Sequence, residues 1–225
     1  MRILLSFLAS AVVLCAGASP ASAELTYVAI GASDSVGVGA ADPAREGWVP
    51  RFATLLGTGT RLVNVGASGA LLEDALRDQL PVAVESNPDV VTVWLGVNDF
   101  NALVPLSIYS AQLDALLGAL RSRTRAQLVV GNLPDLSRVT VYSDVLAFLG
   151  IDPSPVRREV VRWNWAIAQV ADKHGVTLVD LYAGWSELAQ HPEYVSSDGF
   201  HPSSAGYARL AELFHASAVV VPQTQ

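Results

Sequence analysis

Gly31-Ala-Ser-Asp-Ser-Val-Gly-Val-Gly39 follows directly on the apolar run 25–30, near the start of a chain of 225 residues. A short β-rich run that ends in glycines with hydroxyls between them is where an α/β fold presents a nucleophile at the C-terminal edge of its sheet. Ser33 is the expected nucleophile. Three later stretches gain meaning beside it: Asn64-Val-Gly-Ala-Ser-Gly69, Leu95-Gly-Val-Asn-Asp99 and Asp198-Gly-Phe-His-Pro202.

Outward from that stretch, short β-branched runs alternate with helical patterns. Residues 27–30, 61–65, 90–95, 127–130 and 176–179 read as five strands, each nearly continuously apolar, as parallel strands buried on both faces are. Between them, Trp48, Phe52, Leu55 and Leu56 recur at helical spacing before Gly57. Leu72, Ala75, Leu76 and Leu80 form a second stripe that Pro81 is expected to break. Ser107 is placed to cap a helix with Tyr109, Leu113, Leu116, Leu117 and Leu120 on its apolar side. The longest stripe is Val156, Val160, Trp163, Ile167, Val170 and Ala171, with Arg157, Arg158 and Arg162 turned away. A last helix after Ser203 carries Leu210, Leu213 and Phe214. This βα alternation predicts one α/β domain, a parallel five-stranded sheet with helices on both faces and right-handed crossovers. Residues 133–155, with Pro134, Pro153, Pro155 and the apolar island 145–151, read as a long connection. Such connections are commonly functional, so this one is the expected wall of a substrate pocket.

The first 23 residues have the parts of a secretory signal: Arg2, an apolar run over 3–14 and Ala21-Ser-Ala23 before Glu24. The run is too short to span a bilayer, which takes roughly 20 apolar residues. The expected mature domain is therefore 24–225, exported and without stable membrane insertion. Cys15, the only cysteine, would leave with the leader, so no disulfide or thiolate metal site is expected. The net charge of −7 and the single lysine, Lys173, argue against nucleic acid and anionic membranes as partners.

A serine hydroxyl is a weak nucleophile until a base takes its proton. Asp198 and His201 stand three apart before Pro202. Such a turn can aim the carboxylate at one imidazole nitrogen and leave the other for Ser33, and a triad is recognised by geometry and role, whatever its chain order. Acyl transfer also needs donors where charge develops on the carbonyl oxygen. Gly66 and Asn98 follow two different β-runs, whose ends share one sheet edge with Ser33. Their amides are thus candidate donors beside the Ser33 N–H, the alternatives being a tight turn at Gly66 and a cap at Asn98. Asp99 reads as a turn partner. His174, His191 and His215 lack paired ligand spacing, so neither a metal nor a cofactor is expected. Trp48, Trp94, Trp163, Trp165 and Trp185 read as core, and Arg121, Arg123 and Arg125 as a solvated helix end. No Gly-x-Ser-x-Gly elbow is present.

The four stretches, in this order and at these strand ends, resemble the blocks of the SGNH (GDSL-type) hydrolases, over nearly the whole span from Tyr27 to the last helix. The resemblance implies a three-layer, flavodoxin-like α/β/α domain. It implies Ser33 as nucleophile, Asp198 and His201 completing the triad, and Ser33, Gly66 and Asn98 as oxyanion donors. The chain departs from the pattern in its first block, where Gly-Asp-Ser-Leu becomes Gly31-Ala32-Ser33-Asp34. This raises Ser35 as a rival nucleophile, although Gly31 and Gly37 keep the family spacing around Ser33.

The reading is a secreted, monomeric, metal-independent serine esterase acting on a small acyl ester through an acyl-enzyme. Lipase or lysophospholipase-like action on longer chains, or removal of acetyl groups from carbohydrate, would use the same residues. The non-enzymatic alternatives are a silent binding module of this fold, which Ala32 favours, and a nucleotide-binding flavodoxin-like protein.

Overall fold

The computed structural model describes residues 25–219, so the leader expected over 1–23 lies outside it. Five strands, β1 (Thr26–Gly31), β2 (Arg61–Asn64), β3 (Val90–Trp94), β4 (Gln127–Gly131) and β5 (Thr177–Val179), form one sheet in the order β2-β1-β3-β4-β5. Every pairing is parallel. The order reverses beside β1, so the exits of β1 and β3 diverge there and open a crevice at the C-terminal edge.

Alternate side chains of the central strands enter two cores. Val28, Ile30, Val91, Val93, Leu128 and Val130 pack under the helices of residues 72–85, 106–123 and 154–173. Tyr27, Ala29 and Val129 face the other layer, made by the helices Trp48–Leu56 and Ser204–Val219. In that layer Trp48 stacks on Phe214 with ring centroids 4.3 Å apart, and Phe52 meets Tyr27 edge-on at 4.9 Å. Each fully buried large apolar side chain contributes about 1.5–3 kcal/mol. The fold is thus a three-layer α/β/α sandwich.

Several local expectations are revised. Only the central strands are buried on both faces. β2 lies at the edge, with Arg61 and Asn64 exposed. Pro81 does not break its helix. Residues 72–85 run on through a π-turn, Ala75–Gln79, and Pro81, which has no N–H to give, stands in the first turn of the segment after it. The helix Leu106–Arg123 starts from Pro105, and Ser107 lies inside its first turn. Trp165 is 68% exposed, unlike the buried Trp48, Trp94 and Trp163, and the Trp185 side chain lies outside the described residues. Arg157 reaches inward to Asp135, at 3.2 Å, and Arg121 holds the carbonyls of His174 and Gly175. Residues 133–155 are not a bare connection but a 3-10 turn, Leu136–Arg138, and a helix, Thr140–Leu149, with no buried residue of its own.

Candidate active site

β1 ends at Gly31, and Ser33 opens a single helical turn, Ser33–Val36, closed by Gly37 in the left-handed region. This turn lifts the Ser33 side chain out of the sheet edge and leaves its N–H at a helix start, where backbone donors have no partner within the helix. Two buried amides steady the strand exits. Gln79 accepts from the Gly31 N–H at 2.9 Å and donates to the Gly31 carbonyl at 3.0 Å. Asn164 does the same for Leu133, after β4, at 2.9 and 2.8 Å.

The loop before the last helix carries Asp198 and His201 to Ser33. An isolated bridge between Val195 and Pro202 folds it back on itself. Asp198 Oδ1 accepts from the amides of Phe200 and His201 at 2.8 and 2.9 Å and from the Ser196 hydroxyl at 2.8 Å. Its Oδ2 lies 2.6 Å from His201 Nδ1, and His201 Nε2 lies 3.0 Å from Ser33 Oγ. A carboxylate only accepts, so Nδ1 carries the hydrogen and Nε2 is left to accept from Ser33. Burial pushes the Asp198 carboxyl up, but the hydrogen bonds from His201, the two amides and Ser196 outweigh it and hold the group well below the usual carboxylate range. Gly39 makes the approach possible. Its φ is 96°, and a Cβ there would lie 2.5 Å from the Pro202 carbonyl oxygen and 3.0 Å from His201 Cβ.

Ser33, Asn98, Gly96, Leu95 and Phe200 line one cleft at the sheet edge. Asn98 lies in the short helix Val97–Asn101 just past β3. One hydrogen of its amide goes to the Ala70 carbonyl at 3.0 Å, which fixes the side chain and leaves the second hydrogen for the cleft. Gly66 stands differently. Its N–H is taken by Asn64 Oδ1 at 3.0 Å, and Asn64 Nδ2 holds the Ser35 carbonyl at 2.6 Å. A Cβ at position 66 would sit 2.7 Å from Ser35 Cβ, so Gly66 packs against the back of the turn that carries Ser33. Of the three expected donors, two border the cleft.

Ser35 is 1% exposed and its hydroxyl has no partner, whereas Ser33 meets the imidazole. Asp99 is also buried and accepts from the Leu72 N–H at 3.1 Å, the turn-partner role expected of it. Asp34 borders the Ser33 cleft, beside the charges of His201 and Asp198 and within reach of the Tyr207 hydroxyl. Gln79, Asn164 and Gly39 were not singled out from the sequence as positioning residues. Among the described residues no group of three or more His, Cys, Asp or Glu is placed to hold a metal ion, and no helix is long and apolar enough to cross a membrane.

Such an arrangement can take a proton from a hydroxyl and return it to a leaving group while donors stand over the reacting carbonyl. Comparison with known proteins gives the same class. A model of the GDSL-like Lipase/Acylhydrolase family matches residues 29–209. An acetylxylan esterase from Geobacillus stearothermophilus is 27% identical over 161 residues, 69% of this chain and 71% of that protein. The crystal structure of Axe2, an acetylxylan esterase from the same organism, superposes with a TM-score of 0.69 at 20% identity, over 89% of this chain and 97% of the other. LAE5, an alpha/beta hydrolase enzyme from the metagenome of Lake Arreo, Spain, gives 0.66 at 21% identity, over 86% and 94%.

Proposed function

The chain belongs to the GDSL-like lipase/acylhydrolase family and is a carboxylic ester hydrolase, and from that premise we propose that it is a serine esterase working through Ser33, His201 and Asp198. The observation that carries this reading is the unbroken relay from Asp198 Oδ2 to His201 Nδ1, at 2.6 Å, and from Nε2 to Ser33 Oγ, at 3.0 Å. His201 accepts the Ser33 proton as Oγ attacks the ester carbonyl, then passes it to the leaving alcohol. Water, activated by the same imidazole, releases the acid from the acyl-enzyme. Asp198 holds the tautomer and stabilises the imidazolium. The Ser33 N–H and the free Asn98 amide hydrogen hold the oxyanion. Gly66 joins them if its N–H, now on a neutral Asn64 carbonyl, turns to the stronger, charged acceptor.

The substrate that fits the relatives is an acetyl ester on a carbohydrate, since one of them is an acetylxylan esterase and the cleft at Ser33 is narrow. A second reading, longer acyl chains, is favoured by a larger apolar cavity that shares walls with the cleft. We further propose export after cleavage near Ala23, on the character of residues 1–23.

Release of acetate from acetylated xylo-oligosaccharides and from a chromogenic acetyl ester tests the activity. Ser33→Ala and His201→Ala are each expected to lose several orders of magnitude, and the double variant scarcely more, because the residues act as a unit. Full turnover by a folded Ser33→Ala enzyme would overturn the assignment.

A further inference from the structure

Asp34 occupies the position where the pattern this chain resembles carries leucine, and its side chain borders two cavities at once. One is the Ser33 cleft. The other, about 860 Å3 including its mouth, runs from Asp34, Trp94 and Phe200 past Leu136 and Leu181 to Leu213. Asp34, Trp94, Val97 and Phe200 are walls of both, so they stand at the boundary between the two, the throat that a chain passing from one to the other has to cross. The larger cavity is lined almost wholly by apolar side chains. Its other charged groups, Glu187 and Arg209, are paired to each other at 2.8 and 2.9 Å. Asp34 is the remaining charged group of that lining.

An acetyl group needs only the cleft. A longer acyl chain has to lead its methylenes through the throat, against the Asp34 carboxyl. If that group is ionised, the chain strips water from a charge and returns no hydrogen bond, which is strongly unfavourable; if it carries a proton, the cost falls to that of a neutral hydroxyl with partners at hand. We propose that Asp34 determines acyl-length specificity: protonated, it opens the throat to a medium-length acyl chain, and ionised, it confines Ser33 to short acyl groups. This rests on Ser33 being the nucleophile.

The surroundings put that change within ordinary working conditions. Burial pushes the Asp34 carboxyl up to about 6, against the pull of His201; Asp198 adds to the rise and the Tyr207 hydroxyl opposes it. The groups around it are therefore His201 and Asp198 on the loop, Tyr207 and Arg209 on the last helix, and Glu187 on the helix Trp185–Gln190. Arg209 is held by Glu187 and also by Glu212, at 2.8 and 3.0 Å.

The experiment is kcat/KM for the octanoate and acetate esters of one neutral alcohol, below the micellar concentration, from about pH 5 to about pH 8. Their ratio cancels whatever pH does to His201 and to the shared leaving group. The expected result is a ratio that falls as pH rises through about 6, then by roughly tenfold per pH unit, as the competent fraction does. Asp34→Asn makes the ratio independent of pH, and Asp34→Leu keeps it high throughout. A flat ratio in the unaltered enzyme overturns the proposal, whether or not either variant folds. So does an Asp34→Asn enzyme whose ratio still falls with pH. Turnover of acetate by Ser33→Ala would instead remove the nucleophile reading, whereas a flat ratio in an enzyme that Ser33→Ala inactivates removes only the role of Asp34.

Discussion

Two hydroxyls on one helical turn, Ser33 and Ser35, have different partners. Ser33 Oγ reaches His201, and Ser35 Oγ is buried against Gly31 and Gly66 with nothing to bond. A buried, unsatisfied hydroxyl carries a desolvation penalty, so removing it costs little. Ser35→Ala is expected to keep its activity and to be as stable as the parent or more stable by up to about 1 kcal/mol, read by urea denaturation. A folded but inactive Ser35→Ala variant would put the nucleophile at the wrong residue. The relay itself was legible because Asp198, His201 and Pro202 sit together in sequence and their chemistry is specific. The meaning of Asp34 was not. Its neighbours, Tyr207 and Trp94, are remote in sequence.

At the scale of elements, the helix of residues 72–85 shows how an irregularity serves the strand beside it. The π-turn Ala75–Gln79 ends on Gln79, a 4% exposed amide that takes both backbone groups of Gly31 just before the Ser33 turn. Gln79→Leu takes the side-chain acceptor from the buried Gly31 N–H, at a cost of about 1–3 kcal/mol, while the Gly31 carbonyl keeps the Ala67 N–H at 3.2 Å. The expected outcome is a lower denaturation midpoint and a loss in kcat larger than any change in KM, since the loss is in the aim of Ser33 and not in the cleft walls. An unchanged kcat would mean that the clasp is only structural. Gln79 was illegible in the sequence because its partner lies 48 residues away and the apolar stripe with Pro81 reads as a helix that stops. The helix Thr140–Leu149 was missed for the opposite reason: none of its residues is fully buried, Tyr142 packs only partly buried against the core, and Phe148 is 88% exposed, so no apolar stripe announced it. The pocket wall comes from Pro134, Leu136 and Val139, at the near end of the same segment, and no residue of the apolar island 145–151 lines it.

Across the whole molecule, the alternation of short strands and amphipathic helices made the layered sheet legible, because burial on two faces leaves few other patterns for the central strands. Edge positions such as Arg61 escaped it, since exposure depends on strand order, which no local pattern encodes. The charge balance has a further effect through carboxyls pushed in opposite directions. Asp198, held low, contributes stability above its unfolded value and loses it as pH falls. Asp34 and Asp99, raised by burial, do the reverse: their protonated forms suit the fold, so stability present at about pH 4 or below is lost as pH rises through their folded values, about 6 for Asp34. Asp34→Asn is therefore expected to raise the melting temperature at pH 8 and to leave it nearly unchanged at pH 4. The gain should be no more than about 2 kcal/mol, because one side of the group faces solvent in the cleft. An equal shift at both pH values would show that its ionisation is not linked to folding.

The hydrogen bond between His201 and Ser33 joins residues 168 apart, the first strand exit to the loop before the last helix. Closing a loop that long is entropically slow, and the contacts that reward it, Gly39 against Pro202 and Trp48 against Phe214, are themselves remote in sequence. The contact between His201 and Ser33 is thus expected to belong to the latest-closing part of the chain. A molecule with its sheet centre assembled and its C-terminal quarter undocked would pass for folded by its secondary structure and yet hydrolyse nothing. In refolding, returning esterase activity would lag behind the circular dichroism signal, marking the moment when the two halves of the site meet.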